Sequence, residues 1–422
     1  MLQVSYIRDN REQVLERLAV KNFKQPELVD EIIGLDSTFR TLNKQLQEIE
    51  TQLNILSKTI GEFKKARMEP NHELLIDNAD LKTKERFLNE KLDLINTQRE
   101  EKLLLLPNLP HSSVPIGVTA SDNEEIYNGG EMPLLYPNAK PHWELVKKYD
   151  IIDFDLGVKI TGAGFPVYKG KGAKLQRALI SFFLDEAEKA GYKEMMLPLM
   201  VNYASGYGTG QLPDKEGQMY YVKQDELYLI PTAEVPITNL YRDVFLKGTD
   251  LPVKNCGYTP CFRREAGSYG SDVRGLNRLH QFDKVEIVQI VEPEKSYDTH
   301  KQMCGHIQTL LEKLELPFRI LRLCGGDMSF ASALTHDFET WSAAQKKWLE
   351  VSSVSNFETF QTARLNLRFK NEKGKNEYAH TLNGSALALP RIVATLLENN
   401  QTEKGIKIPE ALVPYTKFEW ID

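Results

Sequence analysis

The chain has 422 residues, of which 41% are apolar and 27% charged, with a formal net charge of −6. That length carries two or more domains with sizeable cores, the composition is that of an ordinary globular protein, and the acidic balance excludes a protein that binds polyanions by bulk charge alone. The start, Met1-Leu2-Gln3-Val4-Ser5, lacks the cationic and then apolar pattern of a signal peptide, and no run approaches the roughly 18 apolar residues of a membrane span, so a cytoplasmic protein with no membrane partner is expected. Cys256, Cys261, Cys304 and Cys324 show no metal-ligand spacing and read as reduced thiols, with no zinc expected.

The first strong pattern is a heptad. Leu28, Leu35, Leu42, Ile49 and Leu56 form one series, and Ile32, Phe39, Leu46, Leu53 and Ile60 the other. Alternating spacings of four and three are those of a coiled-coil seam. Gly61 and Met68-Glu69-Pro70-Asn71 read as the turn. A second apolar series, Leu74, Leu81, Leu88 and Ile95 with Leu92 beside it, runs back toward Pro107-Asn108-Leu109-Pro110. A bare heptad first suggests dimerisation. Here the return helix satisfies the seam within one chain, leaving an antiparallel hairpin free to project, with Lys58, Lys64, Lys65 and Arg67 near its tip. Such a tip suits either plain solvation or a phosphate backbone.

Residues 1–110 thus read as a helical arm, 111–140 as a Pro-, Gly-, Asn- and Ser-rich connector, and 111–422 as the body with its connector. In the body, Gly172–Tyr192 predicts an amphipathic helix and Ser385–Asn399 a closing one. Met195–Val201, Glu226–Ile230, Gly257–Arg264, Gln281–Val291 and Trp348–Val351 predict strands. Their irregular spacing favours an α+β fold, a mostly antiparallel sheet flanked by helices. Neither GxxxxGK nor a GxGxxG opening a helix is present, so any nucleotide is held without a phosphate-binding glycine loop.

The most informative run is Cys261-Phe262-Arg263-Arg264-Glu265-Ala266-Gly267, answered by His280-Gln281-Phe282-Asp283-Lys284-Val285-Glu286 and by Asn383-Gly384-Ser385 and Arg391. Arginine donates paired, charged hydrogen bonds to phosphate and carboxylate, and a strand phenylalanine offers its face to a purine. Phe262-Arg263-Arg264-Glu265 resembles motif 2 of the class II aminoacyl-tRNA synthetases. Gly191-Tyr192 with Pro198 resembles motif 1, the dimer-interface segment, and Gly384 through Arg391 resembles motif 3. More specifically, the whole chain resembles the bacterial-type seryl-tRNA synthetases. That likeness is carried by the arm, Gly208-Thr209-Gly210-Gln211-Leu212-Pro213, Thr232-Ala233-Glu234, Val273-Arg274-Gly275-Leu276, Glu350-Val351-Ser352-Ser353 and Thr381-Leu382-Asn383-Gly384-Ser385.

The resemblance implies a class II core, a homodimer, and two-step chemistry. L-Serine and ATP would give seryl-adenylate and pyrophosphate, and the seryl group would pass to the 3′ end of tRNA(Ser), gripped through the arm. The reaction would extend to tRNA(Sec) where a host carries one. Carried over by position, Arg263, Glu350 and Arg391 are the catalytic set. Thr232, Ala233, Glu234, Arg263, Glu286, Asn383 and Ser385 would bind serine. Arg263, Arg264, Glu265, Phe282, Glu350, Val351, Ser352, Ser353 and Arg391 would bind ATP, with Glu350 and Ser353 as ligands of Mg²⁺. Arg274 and Arg278 are further candidates for triphosphate or tRNA-end contacts.

Three positions depart from the family's habit. Arg264 replaces a small residue, Leu389-Pro390 precedes Arg391 in place of a valine-glycine pair, and Leu334 stands where lysine is common. The closest alternatives are a threonyl, prolyl or glycyl enzyme, a synthetase-like enzyme loading a carrier protein, and a silent RNA-binding paralogue. The long arm opposes the first two, and the intact site residues oppose the third.

Overall fold

The computed structural model describes residues 1–214, 217–265 and 274–422. The end of the motif 2 run, Ala266-Gly267, and Val273 lie outside the described residues. The chain forms two compact units, Met1–Ala19 with Phe23–Pro107, and Val20–Asn22 with Asn108–Asp422.

The first unit is helical: α1 (Val4–Asp9), α2 (Arg11–Val20), and the two long helices α3 (Glu27–Lys65) and α4 (His72–Leu103). Each of the ten heptad positions of α3 is shielded from solvent, with Leu28, Ile32 and Leu53 fully buried and the others partly so. Leu88 and Leu92 are buried on the return helix. Gly61 does not break the pattern. It lies inside α3, where a lone glycine costs only about 1 kcal/mol against alanine and the paired seam outweighs it. The turn falls later, where Arg67 takes a left-handed φ of 55° and Pro70 precedes the cap. Asn71 caps α4 by accepting from the Glu73 N–H at 3.2 Å. Near the hairpin's base the buried Asp36 bridges three helices, accepting from Arg8 at 2.9 Å and Arg99 at 3.2 Å.

The second unit is built on an eight-stranded sheet. Its strands are β1 (Glu124–Gly129), β2 (Lys193–Glu194), β3 (Val253–Phe262), β4 (Gln281–Val291), β5 (Phe318–Arg322), β6 (Leu334–Ser342), β7 (Lys347–Glu358) and β8 (His380–Ala388). Their spatial order is β1-β5-β6-β7-β8-β4-β3-β2, antiparallel throughout except β2 against β3. Three helices, α5 (Gly170–Lys189), α6 (Ser296–Lys313) and α7 (Leu389–Asn399), share one core with it.

Strand alternation sorts β4 into two faces. Val285 and Ile287 join Phe182 and Phe183 of α5, Ile307 of α6 and Ile392 of α7 in the core. A fully buried side chain of this size contributes about 1.5–3 kcal/mol over an exposed one. Phe282, Lys284 and Glu286 are therefore left on the opposite face.

Several expectations need correction. The 111–140 segment is more than a connector, because β1 pairs with β5 as the sheet's edge. Met195–Val201 breaks into Lys193–Glu194 and Met200–Val201, with Pro198, which cannot donate to a ladder, between them. The strand expected at Trp348–Val351 runs on to Glu358. Ser385–Ala388 is strand and not helix, since Ser385 pairs with Glu286 and Ala388 with Lys284. The helix begins at Leu389, and Pro390 sits in its first turn, where no N–H is needed. Leu334 packs in an apolar cluster with Val20, Val114, Leu323 and Met328, a core role for the position where lysine is common.

Candidate active site

The site forms on the sheet face that the core helices leave open, across β3, β4, β8 and β7. A cavity of about 190 Å³ is lined by Arg263, Glu265, Phe282, Lys284, Glu350 and Arg391, among others, with Val351, Ser352 and Ser385 also on its wall. Arg263 follows β3, its Nε donating to the Pro231 carbonyl at 3.3 Å and its guanidinium 5.3 Å from the Phe282 ring centre. Arg391 enters from the first turn of α7. Its Nε donates to the Asn277 carbonyl at 3.1 Å, and its Nη1 to the Glu350 carbonyl at 2.7 Å, with the Glu350 carboxylate at 3.5 Å. Leu389-Pro390 has therefore not displaced Arg391 from the cavity. Glu265 is paired with Arg278 at 2.9 Å. Arg264 points elsewhere, its guanidinium 5.8 Å from the Tyr220 ring and outside the cavity wall.

The loop carrying Leu276 and Asn277 is held from behind. His142 Nε2 accepts from the Leu276 N–H at 2.9 Å, while its Nδ1 meets Glu398 Oε1 at 2.8 Å. Gly275 adopts a left-handed φ of +67°, and a Cβ there would fall 2.3 Å from His142 Nε2. Only glycine fits that approach. Arg274 lies over the Trp143 ring at 4.6 Å.

Deeper in, Glu286 is fully buried, and Lys284 lies 2.5 Å from its Oε2. Thr232 donates to the same oxygen at 3.2 Å, and Ser385 lies 3.5 Å from it. Glu286 Oε1 is buried with no hydrogen-bond partner, an acceptor left unsatisfied by the protein. Glu234 accepts from Gln361 at 2.7 Å, and Thr381 orients that amide by donating to its oxygen at 2.7 Å. Burial pushes the Glu234 carboxyl up to about 7, and the Glu286 charge adds to this, while Gln361, Lys284 and Asn383 oppose it. Ala233 packs with Ile237 and Val288, so its side chain belongs to the core.

Ser353 sits opposite Asp337 in the β6–β7 register. Asp337 is held well above the usual carboxylate range by burial and then by the charge of Glu350, with the Ser353 hydrogen bond opposing, and its Oδ1 has no partner. Two carboxylates, one with an orphaned oxygen, and a hydroxyl form an oxygen-rich, charge-frustrated cluster, a donor set that fits a hard divalent cation.

Thus Arg263, Glu265, Phe282, Glu350, Ser385 and Arg391 converge on one cavity, with Thr232, Glu234, Glu286 and Asn383 behind it. Lys284, Gln361 and Asp337 belong to the same constellation but were not singled out from sequence. Lys284 could have been found, because it lies between Phe282 and Glu286 at the two-residue period of one strand face. Asp337 and Gln361 carried no comparable local signal.

An antiparallel sheet presenting two arginines, a stacking phenylalanine and an acidic cluster to one cavity is the core of a class II aminoacyl-tRNA synthetase. Residues 220–400 match the tRNA synthetase class II core domain (G, H, P, S and T), and residues 1–110 match the seryl-tRNA synthetase N-terminal domain. A serine–tRNA ligase of Salinibacter ruber is 50% identical over 99% of this chain and 98% of its own length. A seryl-tRNA synthetase from Pyrococcus horikoshii, solved with ATP, superposes with a TM-score of 0.92 at 33% identity, covering 100% of this chain and 99% of that one. A cytoplasmic serine–tRNA ligase from Naegleria fowleri, solved with AMP, gives 0.88 at 25% identity, covering 100% and 99%. The chain belongs to the seryl-tRNA synthetase family.

Proposed function

We propose that this protein activates L-serine with ATP, releasing pyrophosphate, and transfers the seryl group from seryl-adenylate to the 3′ end of tRNA(Ser), and of tRNA(Sec) where the host has one. The observation that carries the serine assignment is the buried Glu286 with one oxygen unpartnered beside Thr232 and Ser385. A small substrate bearing a hydroxyl and an ammonium satisfies it, whereas alanine would leave the carboxylate without its hydroxyl donor. Serine's own carboxylate is already ionised at neutral pH, so the first step needs no protein base. Rate enhancement comes from alignment and preorganised positive charge.

In this reading Arg263 holds the serine carboxylate against the α-phosphate and stabilises charge there as the new bond forms. Phe282 and Arg391 sandwich the adenine, Glu265 lies at its edge, and Lys284 adds a second positive charge between serine and phosphate. The serine ammonium sits among Thr232, Glu234 and Glu286. Glu350 and Ser353, joined by Asp337, would hold Mg²⁺, whose charge neutralises phosphate oxygens when bound. Arg264 is assigned no ATP contact, in keeping with its place over Tyr220.

The arm grips the tRNA, with Lys58, Lys64, Lys65 and Arg67 exposed near its end. We assign a homodimer through the Gly191–Pro198 region and a cytoplasmic location. No helix among the described residues is long and apolar enough to cross a membrane.

ATP–pyrophosphate exchange across serine, threonine, alanine, glycine and proline, without tRNA, tests the assignment. Exchange with serine alone is expected. Exchange led by another amino acid would overturn the serine reading, and none at all would leave an RNA-binding protein.

A further inference from the structure

A second cluster lies on the helix-covered side of the sheet, away from the nucleotide cavity. His300 and Cys304 are one turn apart on α6, and His336 reaches them from β6, where alternation turns it to the opposite face from Asp337. Cys304 Sγ lies 3.6 Å from His336 Nδ1 and 3.9 Å from His300 Nδ1, and the three ligand atoms all fall within 4.8 Å of one another. For a tetrahedral ion with metal–sulfur and metal–nitrogen bonds of about 2.3 and 2.05 Å, the sulfur–nitrogen separation is about 3.6 Å. The Cys304–His336 pair already stands at that spacing, and the Cys304–His300 pair is slightly wider.

The surroundings support the His300 ring. His300 Nε2 meets the Val354 carbonyl at 3.0 Å, so that nitrogen carries the proton and the Nδ1 lone pair turns toward Cys304. A carbonyl fixing the remote nitrogen in this way is the usual support of a metal-bound imidazole. Cys304 and His336 are only partly buried.

We propose that His300, Cys304 and His336 form a binding site for a thiophilic d¹⁰ cation, Zn²⁺ or Cu⁺, that ties α6 to β6 behind the active-site strands. Binding replaces the thiol proton: the Cys304 S–H bond breaks, a metal–sulfur bond forms, and one proton is released per ion. Cu⁺ with one thiolate and two imidazoles gives a neutral, three-coordinate complex. Zn²⁺ takes a solvent molecule as its fourth ligand.

The test uses the full-length protein, stripped with chelator and titrated with Zn²⁺, and separately with Cu⁺ under anaerobic conditions. One ion per chain is expected for at least one of the two. Co²⁺ should give a near-ultraviolet thiolate charge-transfer band. Cys304→Ser and His336→Gln should each weaken binding by at least about 100-fold, and Cys304→Ser should abolish that band. Serine-dependent pyrophosphate exchange reports that both variants are folded. If neither ion binds below about 10 μM, or if Cys304→Ser binds as the unsubstituted protein does, the site does not exist. An ion bound with unchanged affinity by His336→Gln would equally reject this ligand set.

Discussion

The arm and the active-site face solve opposite problems. In the arm the apolar seam follows a short period, so ten heptad side chains mark out α3, and the solvent-facing positions are free to carry charge. On the sheet face, side chains far apart in sequence are forced together in a buried, charged cluster, where Lys284 and Glu286 must offset each other's desolvation. The arm therefore tolerates surface substitution, and the site does not. Substitutions that separate adenylation from tRNA charging put this contrast to the test.

The largest effect is expected at Arg263. Arg263→Ala should lower kcat for pyrophosphate exchange by about 10²–10³-fold, the cost of removing one preorganised donor at a reacting centre. Far-ultraviolet circular dichroism should be unchanged, because among the described residues the side chain's hydrogen bonding to the protein is a single donation to the Pro231 carbonyl. A variant retaining more than a tenth of the rate would remove Arg263 from the catalytic set. Next comes Glu286→Gln, which keeps the shape and removes the charge. The KM for serine should rise by about 10²-fold, corresponding to about 2–3 kcal/mol for charged hydrogen bonds, with the KM for ATP changed far less. Parallel rises in both constants would argue against a serine-specific pocket.

Reversing the charge near the tip of the hairpin should leave adenylation alone. The triple change Lys64→Glu, Lys65→Glu and Arg67→Glu should raise the KM for tRNA about tenfold or more and flatten its salt dependence, since phosphate contacts release counterions. Pyrophosphate exchange without tRNA should stay within twofold. Unaltered tRNA charging would make these cations ordinary solvated surface groups.

How much could be read beforehand follows the same division. The hairpin was legible almost residue by residue, with only Gly61 misjudged, because a glycine's local cost is small beside a two-helix seam. The β3 and β4 residues were legible because Arg263, Phe282 and Glu286 sit in contiguous runs. Asp337 and Gln361 were not, since Asp337 gains its meaning only through the β6–β7 register, and Gln361 reaches Glu234 across 127 residues. His300, Cys304 and His336 escaped for the same reason. Cysteine spacing alone cannot show a histidine brought in from a strand.

The smallest expected effect distinguishes burial for function from burial for stability. Glu234 has its folded pKa raised from 4.5 to about 7, with burial the chief cause and Glu286 the second. Between those two values the folded state holds a proton that the unfolded state has lost, so the group's contribution to stability falls as pH rises through that window. Glu234→Gln abolishes this penalty and should raise the melting temperature by a few degrees at pH 8 and by much less at pH 5, measured by calorimetry without ligand. The same substitution should weaken serine binding, because an ammonium beside an ionised carboxylate is lost. In the unsubstituted enzyme, the KM for serine should accordingly fall as pH rises through about 7, and in Glu234→Gln that dependence should flatten. A variant that gains stability without losing serine affinity would show that Glu234 is merely a buried acid, and Glu286 would then hold the ammonium alone.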